Sequence, residues 1–156
     1  MNAKVSGWEE KAFYVKAYQD LCNIKKAINT IKQNIDSSTQ LSVLCRVPTE
    51  INKDTTQKLL KAYREQLLGT SMEHGFFFNS QIGTIFIIGS LTSMFLRDMD
   101  GKVLGALSTA PYAILRGLGL EKETAQTYVN ALKLGCWLLI LRGFKDDLYI
   151  LKGILN

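Results

Sequence analysis

Few residues in this chain could do chemistry. Arg97 and Arg116 each interrupt an otherwise uncharged stretch beside glycines and turn residues, and a guanidinium fork there matches the oxygens of a carboxylate or phosphate. Asp98 and Asp100 stand next to Arg97 as ion-pair partners, so Arg97, Asp98, Asp100 and Arg116 form the candidate anion or interaction site. Asp98, Asp100 and Gly101 also open like a calcium loop, whose alternating carboxylates surround a hard cation. The closing glutamate is missing, because Ala106 to Ala110 occupies its place. A loop capping the next helix is expected instead. Gly117 and Gly119 resemble a phosphate turn, but Lys122 stands where the third glycine belongs and no strand precedes them. They read as a helix end.

The single histidine, His74, could meet Cys45 or Asp98 only if the fold assembles them. No GxSxG, HExxH or CxxC occurs. Zinc needs three or four ligands, and one histidine with scattered cysteines does not supply them. No catalytic residue, metal site or cofactor is therefore expected, and the enzyme class stays open only through the arginine neighbourhood. Cys22, Cys45 and Cys136 are odd in number and embedded in apolar sequence, which suits free thiols in a reducing compartment. Gly101, Gly105 and Thr109, with Ala106, Ala110 and Ala113 near them, put small residues at four-residue spacing. On a helix these make a candidate contact surface, for the protein's own sheet or for a second subunit.

Nineteen basic against fourteen acidic residues give +5 in 156 residues, which favours anionic partners weakly. Lys25, Lys26 and Lys32 lie in one segment and Lys53, Lys58, Lys61 and Arg64 in another, with no run of five. Nucleic-acid binding is not expected from that spread. The 47% hydrophobic and 21% charged content is that of one globular domain spanning 1–156. Trp8, Glu9, Glu10 and Lys11 fall where a signal peptide needs an apolar core, so a cytoplasmic location is expected. Gly75 to Leu96 carries no charge, but its polar interruptions and paired glycines suit a buried strand better than a membrane span.

The elements that must position these residues follow from periodicity. Ala12 to Tyr18 alternates as a strand, with Phe13, Val15 and Ala17 on one side and Tyr14, Lys16 and Tyr18 on the other. Asp20 can cap a helix striped by Leu21, Ile24, Ile28, Ile31 and Ile35. Leu41 to Val47 is a second strand, giving a strand–helix–strand unit with a right-handed crossover. Asp54 with Gln57 resembles a capping box opening a peripheral helix that carries Leu59, Leu60, Tyr63 and Leu67 and closes at Gly69. Thr84 to Ile88 is a strand, Val103 to Leu118 a small-residue helix broken at Pro111, and Glu121 to Leu132 a helix. Cys136 to Arg142 is a wholly apolar strand, followed by a helix over 146–155. These elements predict an α+β fold, a ferredoxin-like four-stranded sheet with helices on one face and helical insertions at about 52–74 and 93–118.

The order of the Ile-striped helix, LSVLCRV, GTIFIIGSLTSMFL, the small-residue helix ending Gly117-Leu118-Gly119-Leu120, and ETAQTYVNALKLGCWLLILRG over about Ala12 to Gly143 resembles the bacterial general stress protein family. These are heat- or salt-induced domains of unknown function with a Gly-rich central segment. The resemblance implies a stress-related role and carries over no catalytic residue. Three readings of function result. The first is a non-enzymatic cytoplasmic interaction or assembly protein, a two-fold dimer because one sheet face is left bare, unless the inserted helices, the amphipathic Asp54 helix among them, cover that face within one chain. The alternatives are a peripheral membrane-associated protein using Phe76 to Phe78 and Val103 to Leu115 with the basic charge, and a small anion- or ligand-binding domain at Arg97 and Arg116.

Overall fold

The computed structural model describes residues 10–34, 38–48, 53–67 and 72–156. Its framework is a five-stranded antiparallel sheet in the order β1-β7-β2-β4-β3, with β1 Lys11–Tyr18, β2 Gln40–Arg46, β3 His74–Asn79, β4 Gly83–Gly89 and β7 Trp137–Phe144. Helices α1 Leu21–Asn34, α2 Lys53–Leu67 and α6 Lys145–Leu155 cover one face. Helices α3 Thr92–Phe95, α4 Ala110–Gly117 and α5 Lys122–Lys133 cover the other. The class is α+β, with five strands rather than four and helices on both faces rather than one.

Burial explains the layering. Trp137 to Leu141 of β7 and Ile85 to Ile88 of β4 are buried without interruption, as strands sandwiched between two helix layers must be. Alternate residues feed two separate cores: Leu139 and Leu141 face α1 and α6, while Leu138 and Ile140 face α4 and α5. Ile24, Ile28 and Ile31 of α1 are essentially inaccessible. The Asp20 carboxylate accepts from the Asn23 amide at 2.8 Å, so it caps α1. Ile35 and Gly69 lie outside the described residues. Tyr63 anchors α2 on the sheet, its ring 4.8 Å from Trp137 edge-on and 5.7 Å from Phe86.

Strand pairing makes β1–α1–β2 straddle β7, and the connection from β4 through α4 and α5 to β7 straddle β2. Both step over one strand in the same rotational sense, so two right-handed crossovers would place their helices on a single face. They lie on opposite faces. The two crossovers therefore have opposite hands, and this is what clothes the sheet on both sides. The bare face from which a two-fold dimer is expected is absent.

The segment Val103 to Leu118, expected as a small-residue helix broken at Pro111, is α-helical over Ala110–Gly117 only, and a hairpin leads into it. Asp98–Met99 (β5) and Lys102–Val103 (β6) form a two-residue hairpin. Its corner residues Asp100 and Gly101 have φ of 56° and 88°, the left-handed pair that an Asp-Gly turn supplies. A 3₁₀ turn over Leu104–Ala106 follows, and α4 starts only at Ala110 with Pro111 in its first turn.

Candidate cationic groove between helix α2 and the edge strand

The sequence-derived candidates do not converge. Arg97, Asp98, Asp100 and Arg116 are all exposed. The Asp98 carboxylate accepts from the Gly101 amide at 3.1 Å, and Arg116 Nη1 donates to the Leu120 carbonyl at 3.3 Å. Asp98 and Arg116 thus serve their own turns, and among the described residues the only ion pair is Lys145 with Glu10. The Asp98 loop closes a hairpin rather than capping a helix. Gly101, Gly105 and Thr109 share no helix: Gly101 is in the hairpin corner, Gly105 in the 3₁₀ turn, and Thr109 precedes α4. Gly105 does have a packing reason, since a Cβ there would sit 2.7 Å from the Phe77 ring. Gly117 ends α4 and Gly119 lies just past it, with the Gly119 amide donating to the Arg116 carbonyl at 3.0 Å.

What the fold does assemble is a cavity of about 410 Å³ where α2 runs beside the sheet's last strand. Gln57, Lys58, Leu60, Lys61 and Arg64 line one wall, and His74, Gly75 and Phe76 the other. Lys58, Lys61 and Arg64 fall at three-residue spacing, which gathers them on one side of a helix. Their apolar counterparts Leu60 and Leu67 turn inward and are buried. Among the described residues no carboxylate lines the cavity, so its lining charge is positive.

One hydrogen bond fixes the wall geometry. Arg64 Nη1 lies 3.0 Å from His74 Nε2. A guanidinium can only donate, so Nε2 accepts, and the imidazole proton sits on Nδ1, which faces the Met72 carbonyl at 3.3 Å. His74 therefore joins α2 to β3 and meets neither Cys45 nor Asp98. Arg64 Nε is buried without a partner, leaving one donor of the fork unsatisfied.

The strand wall adds apolar surface. In β3 the side chain of Phe77 is buried against Phe95, with ring centroids 5.8 Å apart. Phe76 and Phe78 point to the α2 side and are 40% and 62% exposed. A second cavity of about 490 Å³ lies on the other flank of α2, between it and α1, lined by Leu21, Cys22, Lys25, Lys26, Asn29 and Gln66. This helix layer is thus basic on both sides of α2.

Reactive chemistry is not what the groove offers. Cys45, the thiol nearest the α2 core, is buried, and desolvation pushes its pKa well above the usual thiol range. Among the described residues no three His, Cys, Asp or Glu side chains group to hold a metal. No helix of the described residues is long and apolar enough to cross a membrane. No family model, curated protein or solved structure matches the chain.

The basic residues of α2 read from sequence as a solvated face of a peripheral helix. The missed signal was the hairpin: two apolar runs, Phe76–Phe78 and Ile85–Ile88, separated by Asn79-Ser80-Gln81 and a glycine. Recognising it would have placed His74 and Phe76 on a strand.

Proposed function

We propose that the chain is a non-enzymatic, stress-related interaction domain of the general stress type it resembles, and that it binds an anionic partner in the groove between α2 and β3. One observation carries the reading: Lys58, Lys61, Arg64 and His74 line a single cavity that, among the described residues, no carboxylate lines. This moves anion binding from Arg97 and Arg116, neither of which lines the cavity, to α2. A cytoplasmic location fits a protein with free cysteines. The two interleaved strand–helix–strand units are the feature it has in common with a ferredoxin-like arrangement.

The test is binding of fluorescein-labelled polyglutamate by anisotropy. Lys58→Glu with Lys61→Glu should weaken it at least tenfold and flatten its salt dependence, while Arg97→Glu with Arg116→Glu should leave it within twofold. Equal affinity of wild type and the α2 double variant would sink the proposal. Exposed Phe76 and Phe78 beside lysines also favour a second reading, docking on an anionic lipid surface. Co-sedimentation with phosphatidylserine vesicles separates the two.

A further inference from the structure

We infer that the anionic partner is an extended acidic peptide segment, which adds to the sheet as a sixth strand along the outer edge of β3. This rests on the groove reading above and names the class of molecule the groove takes.

The register of the β3–β4 pair shows which backbone groups are available. The Gly89 amide donates to the Glu73 carbonyl at 2.9 Å, and the pairing continues Gly75 with Ile87, Phe77 with Ile85 and Asn79 with Gly83. Antiparallel ladders alternate, so these are the pairs that exchange hydrogen bonds. His74, Phe76 and Phe78 consequently aim their N–H and C=O groups away from β4. No strand lies beyond β3 in the sheet, and among the described residues no backbone hydrogen bond is made to those groups. A row of outward donors and acceptors of this kind is a template for another chain.

Three features coincide on this edge. The backbone row runs along β3, the exposed rings of Phe76 and Phe78 flank it, and the cationic wall of Lys58, Lys61 and Arg64 rises on the same side as those rings. A peptide strand that pairs with His74, Phe76 and Phe78 turns every second side chain toward α2. Acidic residues at those positions meet Lys58 and Lys61, so charge selects the sequence and the backbone selects an extended peptide. Nucleic acid and lipid could satisfy the charge and the rings but offer no ladder of amides.

The probe is a fluorescein-labelled ten-residue peptide of alternating Glu and Val, measured by anisotropy against the full chain. The same sequence is made in two N-methylated forms, on the Glu nitrogens or on the Val nitrogens; both keep the charge, and the one whose methyl groups fall on the nitrogens that face β3 cannot form the ladder. Expected results are saturable binding of the parent peptide, at least tenfold weaker binding of one N-methylated peptide but not of the other, at least tenfold weaker binding of the parent to the Lys58→Glu/Lys61→Glu variant, and no binding of a Lys/Val peptide. Amide exchange on binding should slow at Phe76 and Phe78 but not at Phe77, whose amide is already within the sheet. If both N-methylated peptides bind as well as the parent while the charge variant loses all three, the groove is an anion site and strand addition is overturned. Strand addition is equally overturned if a single-stranded oligonucleotide or phosphatidylserine vesicles bind more tightly than the parent peptide through Lys58 and Lys61. If no anionic probe binds, both the groove reading and this inference fall. Lys58 and Lys61 are exposed, so their replacement should leave the fold intact, and unchanged thermal unfolding of the variant checks it.

Discussion

Asn79 is fully buried, and it uses its whole hydrogen-bonding capacity. Its Oδ1 accepts from the amides of Gln81 at 2.9 Å and Ile82 at 3.2 Å. Its Nδ2 donates to the carbonyls of Gly105 and Leu107, each at 2.9 Å. One side chain thereby closes the β3–β4 turn and ties it to the 3₁₀ segment 26 residues away. Four bonds at roughly 1 kcal/mol net each suggest that Asn79→Ala costs about 4 kcal/mol, with the exposed Gln81 end discounted and the orphaned buried groups added back. Asn79→Asp should be worse at neutral pH, because it replaces the donor with an oxygen facing two carbonyls. Urea unfolding followed by the fluorescence of buried Trp137 measures both. With a slope near 2 kcal/mol per molar, the Ala variant should shift the midpoint by about 2 M. A shift of less than about 0.5 M, or an Asp variant as stable as wild type, would mean that the turn and the 3₁₀ segment are held by something else.

Alkaline pH should destabilise the fold. Burial raises Cys45 above its ordinary 9.0 and pushes Tyr18 and Tyr63 up to about 12 from 10.0, with the neighbouring Cys45 thiol adding to the rise at Tyr63. Groups raised in the folded state stabilise it fully below their unfolded values, and that stability is lost as pH rises toward the folded ones. The urea midpoint should therefore hold to about pH 9 and fall above it, less steeply in a Cys45→Ala, Tyr63→Phe variant; a flat profile to pH 10.5 would contradict the burial of these groups. Ile28→Ala, at a site 1% exposed, should cost roughly 2–5 kcal/mol in the same assay, and an effect below about 0.5 kcal/mol would place α1 off the sheet.

Those elements whose one-dimensional pattern reports their burial were legible in the sequence. The isoleucines of α1 recur every three or four residues because one stripe of a helix meets a sheet. Trp137 to Leu141 is uniformly apolar because helices lie on both sides of β7. The same run carried the sign of a second helix layer, since a sheet covered on one face would show alternation there. The opposite hands of the two crossovers were not legible, because the right-handed rule behind a ferredoxin-like arrangement puts both helices on one face. The hairpin at Asp100-Gly101 was equally visible as a turn dipeptide, but its strands are two residues each, too short for any periodicity to draw attention to it.

The site was less legible than the fold, for a physical reason that Arg97 and β3 illustrate from opposite sides. Arg97 stood out because the stretch before it carries no charge. Its neighbours there, Phe95 and Leu96, are uncharged because they pack into the core, so the contrast reported packing and not binding. In β3 three consecutive phenylalanines mask the alternation in which only Phe77 is buried. A central strand must be apolar on both faces and so declares itself, whereas an edge strand is free to carry whatever its solvent side requires. A sheet that recruits partners through its edge must do so with the strand whose sequence is least constrained by the core. Arg64 and His74 are ten residues apart in the chain and meet only because α2 folds back along that edge, so their pairing follows from where the sheet ends, which no local spacing encodes.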